Sequence, residues 1–139
     1  MDIPVKDLDL LLADMEPVLK EGRYVYASLK DGVSLPLDKI EASVKEQEGL
    51  SVLVSEKTAS DYQLESQFLA AWITLNVHSD LAAVGLTAAF AKTLSDEGIS
   101  CNVIAGYYHD HILVPNEQAE AAMAALRSLQ VKTIKETKE

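Results

Sequence analysis

The sequence has few of the residues that mark secreted, nucleic-acid-binding or membrane proteins. Cys101 is the only cysteine among 139 residues, so no disulfide can form within the chain, as is usual in a reducing compartment. Twelve Lys and Arg stand against 22 Asp and Glu, and the formal charge of -10 repels nucleic acid and anionic membranes. No apolar run approaches the ~20 residues of a membrane span, and Met1-Asp2-Ile3-Pro4 lacks the order of a signal peptide. We expect a cytoplasmic protein that binds neither nucleic acid nor membrane.

Sequence motifs of common enzymes are also missing. There is no Gly-x-Ser-x-Gly elbow, no P-loop, no dinucleotide fingerprint and no His-Glu-x-x-His. We therefore expect neither catalysis nor a cofactor. The alternative left open is an uncommon active site built from His78, Asp80, His109 and Asp110.

What the chain does contain is an ordinary globular composition, 48% hydrophobic and 24% charged. In the first half, an apolar stripe that begins at Asp7 and reaches Leu19 predicts an amphipathic helix. Pro17 and Gly22 are the residues expected to bring this helix to an end. Strands are predicted over residues 23–29, 40–44 and 50–54, followed by a helical turn over 56–62.

The second half has a clearer pattern. Residues 68–77 predict a central strand, and the stripe from Leu86 to Leu94 predicts a helix that ends at Gly98. Strands follow over 99–105 and 112–114, then a helix capped by Asn116 and a last strand over 131–134.

This order predicts an α+β, ferredoxin-like fold. Residues 66–134 give strand, helix, strand, strand, helix and strand, the βαββαβ order whose crossovers place both helices on one face of an antiparallel sheet. The first half is a reduced copy of that unit, in which the helix over residues 7–16 takes the place of the missing helix. We expect an N-terminal module over residues 1–64 and a C-terminal module over 65–139.

The helix of the second half carries a family resemblance. The segment from Gly85-Leu86-Thr87 to Gly98-Ile99-Ser100 resembles the ACT domain signature, in which a glycine opens the first helix and a Gly-Ile pair closes it. Trp72-Ile73-Thr74-Leu75, the run from Ala105 to His111 and, in the first half, Glu48-Gly49-Leu50 are similar to a small family of tandem ACT-like proteins. The resemblance implies two tandem ACT-like modules, related to those of aspartate kinases, that regulate by binding an amino acid. The chain departs from the common pattern because Val84 replaces the proline before Gly85 and the preceding loop is longer.

The helix start at Gly85 is the predicted ligand site. A residue without Cβ leaves the first backbone N–H groups of the helix exposed, and the helix dipole favours a carboxylate there. Asp80 would accept the ammonium group. The structural alternative is that Gly85 serves packing only and that Ser79 or Asp80 caps a turn. The predicted ligand-binding residues are His78, Ser79, Asp80, Val84, Gly85, Leu86, Thr87, Cys101, Asn102, Val103, His109 and Asp110.

His109 and His111 point to the same face if their segment is extended, as in a two-histidine metal arm. Zinc usually takes three or four protein ligands, and the only additions in sight are His78, Asp110 and Cys101. We expect no metal and interpret the histidines as hydrogen-bonded or ligand-lining groups. Cys101 is predicted to be a small buried thiol, and Trp72 a core residue.

Protein association is the remaining class of function. ACT-like sheets have unpaired edges that a second copy can cover, so a homodimer is expected. Tyr107 and Tyr108 could lie against a ligand or a partner subunit, or form a plain aromatic turn. A docking module that binds no metabolite is therefore the second functional hypothesis.

Overall fold

The computed structural model of the chain describes residues 5–76 and 85–137. Its helices are α1 (Val5–Asp14), α2 (Glu56–Asp61), α3 (Leu86–Asp96) and α4 (Ala119–Thr137). Its strands are β1 (Glu16–Leu19), β2 (Tyr24–Leu29), β3 (Ala42–Glu46), β4 (Gly49–Ser55), β5 (Ser66–Asn76), β6 (Asn102–Ala105) and β7 (Asp110–Pro115). The predicted α+β class is confirmed. None of the helices in the described residues is long and apolar enough to cross a membrane.

Residues 21–71 form one compact unit, which we call the N-terminal unit. Its strands lie in the order β3, β4, β2, β5, and each of these strands pairs antiparallel with its neighbour. Alternate residues of β2 and β4 point into one core because successive side chains of a strand face opposite sides. The members of that core are Val25, Ala27, Leu29, Val52, Val54 and Ala59.

The C-terminal unit joins the described residues up to Lys20 with those from Trp72 onward. Its strands lie in the order β1, β5, β7, β6, so β5 gives its first half to one unit and its second half to the other. Helices α1, α3 and α4 pack against one another in this unit. Since the compact units do not follow a single cut in the chain, the module division between residues 64 and 65 stays a prediction.

Strand β1 supplies the fourth strand of the C-terminal unit. It pairs antiparallel with β5, from Glu16 opposite Asn76 to Leu19 opposite Ile73. The predicted strand over residues 131–134 is therefore wrong, and α4 continues through these residues. Helical spacing explains why, since Leu126 and Thr133 are both buried and the Thr133 hydroxyl donates to the carbonyl of Leu129, four residues back.

The first helix ends earlier than its apolar stripe suggests. It stops at Asp14, and Leu19 lies in β1 because Pro17 cannot donate a helical hydrogen bond and pushes its predecessor into extended conformation. Gln130 of α4 donates to the free carbonyl of Ala13 at 2.9 Å and so satisfies the end of α1. The hypothesis that this helix completes the first module was wrong, since α1 packs on α3 and α4. The place of the missing helix, between β2 and β3, holds only the 3-10 turn Leu37–Lys39.

Asn116 does not cap the last helix, which corrects another prediction. Pro115 stands at the capping position, and Asn116 is already the first residue of a 3-10 turn, Asn116–Gln118, that leads into α4. A capping side chain must belong to the residue just before the helical backbone, so Asn116 is one position too late.

Candidate ligand site

The tip of α3 has the geometry that the sequence suggests. Gly85 precedes the helix with φ 98° and ψ -21°, a left-handed conformation that L side chains rarely adopt, and its carbonyl accepts the helical hydrogen bond from the N–H of Ala89 at 3.0 Å. Gly85 has no side chain that could cap this helix start. Within the described residues, the first N–H groups of α3 are candidate donors to a ligand or to water.

The two residues after Gly85 have different surroundings. Leu86 is 2% exposed and belongs to the core, whereas Thr87 is exposed on the first turn. Four other predicted site residues, His78, Ser79, Asp80 and Val84, lie outside the described residues. Of the predicted site at the tip of α3, the structure describes Gly85, Leu86 and Thr87.

The remaining predicted residues lie on the hairpin of β6 and β7. Asn102 and Val103 are exposed on β6, and Cys101 just before them is half-buried. The register places Asn102 opposite Leu113 and Ala105 opposite Asp110. Asn102 and Asp110 therefore lie at opposite ends of this ladder.

His109 has an unsatisfied nitrogen. Its Nδ1 is buried and has no hydrogen-bond partner among the described residues. Its carbonyl accepts from the N–H of Gly106 at 2.9 Å, which closes the hairpin turn. A buried polar atom without a partner costs free energy unless something binds it, so this nitrogen is a candidate contact for a ligand or a water molecule.

His111 is held in a cluster that the sequence analysis did not foresee. Its Nδ1 lies 3.2 Å from the indole Nε1 of Trp72 and 3.0 Å from the hydroxyl of Thr74. The rings of Trp72 and His111 meet edge to face, with 5.4 Å between centroids. The ammonium group of Lys20 lies over the ring of Trp72, 4.6 Å from its centroid. We call these four residues, Lys20, Trp72, Thr74 and His111, the His111 cluster.

The cluster fixes the protonation state of His111. The indole N–H can only donate, so Nδ1 of His111 must be an unprotonated acceptor and the neutral ring carries its proton on Nε2. Burial lowers the pKa of His111, the electrostatic effects of the neighbouring His109 and Lys20 lower it further, and Asp110 opposes them. The imidazole of His111 is therefore neutral near pH 7.

Nothing in the described residues assembles a metal site. No three His, Cys, Asp or Glu side chains come together there. Burial raises the pKa of the Cys101 thiol, which disfavours the reactive thiolate. The prediction that Trp72 is a core residue agrees with its 6% exposure.

The sequence carries no local signal for the His111 cluster, because its members lie far apart along the chain. His111 is 39 residues from Trp72, and the contact exists because β7 lies beside β5 in the sheet. Predicting this contact would have required the order of the strands in the sheet as well as the alternation of side chains along each strand.

Comparison with known proteins now places this fold. ACT domain models match residues 4–71 and 68–128. A protein of unknown function from Vibrio cholerae, described as a possible transport protein, is 46% identical, with 91% of this chain and 98% of that chain covered and a TM-score of 0.81. The chain belongs to the ACT domain family. Its fold is the ferredoxin-like ACT fold in tandem modules, as predicted.

More distant ACT structures share the fold alone. The regulatory subunit of aspartate kinase from Thermus thermophilus is 11% identical, with a TM-score of 0.57, and 81% of this chain and 95% of that chain are covered. Aspartokinase III of E. coli, in complex with aspartate and ADP, is 11% identical with a TM-score of 0.59, over 81% of this chain and 32% of that chain. No curated protein matches the chain. ACT domains are typically regulatory modules that bind small molecules.

Proposed function

We propose that this ACT protein is a regulatory protein that binds an amino acid at the tip of α3. The observation that carries the proposal is the left-handed Gly85 at the start of α3, a capping residue without a side chain of its own to satisfy the first N–H groups. Free N–H groups at the positive end of a helix bind a carboxylate. The two ACT domain matches support a small molecule as the ligand, and the resemblance to regulatory ACT modules favours an amino acid.

The predicted hairpin residues extend this proposal. The Nδ1 of His109, which has no hydrogen-bond partner among the described residues, offers a polar contact, and the carboxylate of Asp110 offers a partner for an ammonium group. We include Asp80 in the site as the second candidate for the ammonium group. Catalysis is not proposed.

Calorimetric titration and thermal melts with each of the twenty amino acids test the proposal. Binding to the folded state alone stabilises it by about 2.7 kcal/mol when free ligand is ~100 times the dissociation constant. We expect at least one amino acid to raise the melting temperature and to give saturable heat. No response to any of the twenty at millimolar concentration would refute the proposal.

The two glycines that flank α3, one before its start and one after its end, provide a matched pair of variants. Gly85→Ala and Gly98→Ala each force alanine into left-handed backbone, with φ 98° and 73°, but only Gly85 lies at the proposed site. We expect Gly85→Ala to weaken binding at least tenfold and Gly98→Ala to leave it unchanged once both are compared below their melting temperatures. Equal affinities would move the site away from α3.

A homodimer is the second proposal, and the exposed hairpin favours it. Among the described residues β6 pairs only with β7, and its Val103 is 38% exposed, while Tyr107 and Tyr108 at the turn are 77% and 66% exposed. An apolar strand edge of this kind is stabilised by a second copy. Light scattering should give twice the chain mass, and Val103→Lys should shift the protein to monomer; a monomer at all concentrations would contradict it.

A further inference from the structure

The N-terminal unit contains a cleft of about 390 Å³ between α2 and the start of β5. Its floor is apolar and belongs to the core of that unit. Val25 and Ala59 are each 5% exposed, and Leu64 packs against the same core. The volume suits a small organic molecule of about one ring.

A bulge in β5 places an aromatic side chain in the wall of this cleft. The pairing of β2 with β5 shifts between Tyr24 opposite Ala70 and Tyr26 opposite Gln67. Phe68 lies in that bulge with φ 60°, a left-handed conformation that glycine normally takes at such a position. Its ring contacts that of Tyr26 at 6.0 Å between centroids and lines the cleft.

A second residue of the cleft has the same backbone conformation. Gln63 has φ 54° and also lines the cleft. Glycine would take both conformations with less strain, so folding alone does not call for phenylalanine or glutamine here. Strained residues that gather at one cleft indicate that their side chains serve it.

The charged side chain in the lining of the cleft is a carboxylate. Among the described residues that line it, Glu56 is the only ionisable one, and the others are serines, glutamines and apolar residues. Its carboxylate is 2.5 Å from the guanidinium of Arg23, with both side chains about half exposed, so water and other cations can reach it. Arg23 pairs with this carboxylate but is not among the described residues that line the cleft, and a net charge of -10 favours a positively charged ligand over an anion.

We propose that this cleft binds a small primary amine with an apolar body, the ammonium group on Glu56 and the apolar part against Phe68 and Val25. The lining of this cleft belongs to the N-terminal unit and the tip of α3 to the C-terminal unit, and the ligand proposed here is an amine without a carboxylate rather than an amino acid. This site therefore does not depend on the proposed amino-acid function.

Two probes that share a phenylethyl body and carry opposite charges test this proposal on the full chain. We expect 2-phenylethylamine to bind saturably in calorimetry and to perturb NMR signals of Phe68 and Ala59, and 3-phenylpropionate not to bind. Glu56→Gln should weaken amine binding at least tenfold, while Glu48→Gln, the same charge change on the exposed β3–β4 turn, should leave it unchanged. Equal binding of both probes, or an unaltered Glu56→Gln, would overturn the proposal.

The ion pair gives a second test of opposite sign. Arg23→Gln removes the cation that competes for Glu56, so amine affinity should rise several-fold. If Arg23→Gln instead weakens binding as much as Glu56→Gln, the pair only maintains local structure and the proposal is wrong. Thermal melts of each variant confirm that the comparison is made on folded protein.

Discussion

Gln63 and Gly98 occupy the same position in two matching helix ends. After α2, the N–H of Gln63 donates to Ser60 and that of Leu64 to Ala59; after α3, the N–H of Gly98 donates to Ser95 and that of Ile99 to Leu94. Both are Schellman motifs, in which the residue after the cap is left-handed and the next one packs an apolar side chain. One helix ends in the residue that suits this conformation, and the other does not.

Gln63→Gly should therefore stabilise the protein. Left-handed backbone costs a residue with Cβ about 1–2 kcal/mol, and the extra freedom of glycine in the unfolded chain returns part of that gain. We expect the free energy of unfolding in urea to rise by about 0.5–1 kcal/mol. The reverse change at the matching position, Gly98→Ala, should lower it by about 1–2 kcal/mol. A destabilised Gln63→Gly would mean that the glutamine side chain contributes more than its exposure suggests.

Ser55 begins α2 as its capping residue. Its hydroxyl oxygen accepts the N–H of Thr58 at 3.0 Å and is 2.9 Å from the hydroxyl of Thr58. Ser55→Ala should lower the free energy of unfolding by about 1 kcal/mol, and Ser55→Asp, which keeps an acceptor, should restore most of it. Chemical denaturation measures both. Ser60→Ala, an exposed hydroxyl on the same helix, is the control and should have little effect.

Met15 tests the junction between α1 and β1. It is fully buried, whereas Leu10 on α1 is 52% exposed. Met15→Ala should cost about 2–5 kcal/mol because it leaves a cavity in the core of the C-terminal unit. Urea denaturation should show Leu10→Ala losing far less. Equal losses would argue that this junction is not packed as described.

Local patterns predicted the elements whose partners are near in sequence. The β-branched and aromatic residues of β2 and β5, the stripe of α3 and the helix end at Gly98 all carry their signal within one segment. The start of α3 at Gly85 belongs to this group, whereas the ligand site proposed there stays a prediction.

Other features depend on partners that are distant in sequence. Strand β1 exists because its residues pair with Ile73 to Asn76, far along the chain, and nothing in four residues around Pro17 shows that pairing. With the place beside β5 taken, residues 131–134 stay in α4. The contact of His111 with Trp72 depends in the same way on β7 lying beside β5.

Protonation of His111 should destabilise the fold. Its pKa is lowered in the folded protein, so the unfolded chain, with an ordinary value of about 6.5, takes up a proton first as the pH falls. The contribution of the neutral imidazole is present above pH 6.5 and is lost as the pH falls below it. His111→Asn keeps an acceptor for Trp72 but does not titrate. Its free energy of unfolding should therefore decline less between pH 7.5 and 5.5 than that of the original protein.

The neighbours of His111 should move its titration in opposite directions. Trp72 is the only tryptophan of the chain, so its fluorescence reports the ring that His111 contacts. Lys20 lowers the pKa of His111 and Asp110 raises it. Lys20→Gln should consequently raise the midpoint of the Trp72 fluorescence titration, and Asp110→Asn should lower it. A midpoint that moves the same way in both variants would show that Trp72 senses a change of packing rather than the charge on His111.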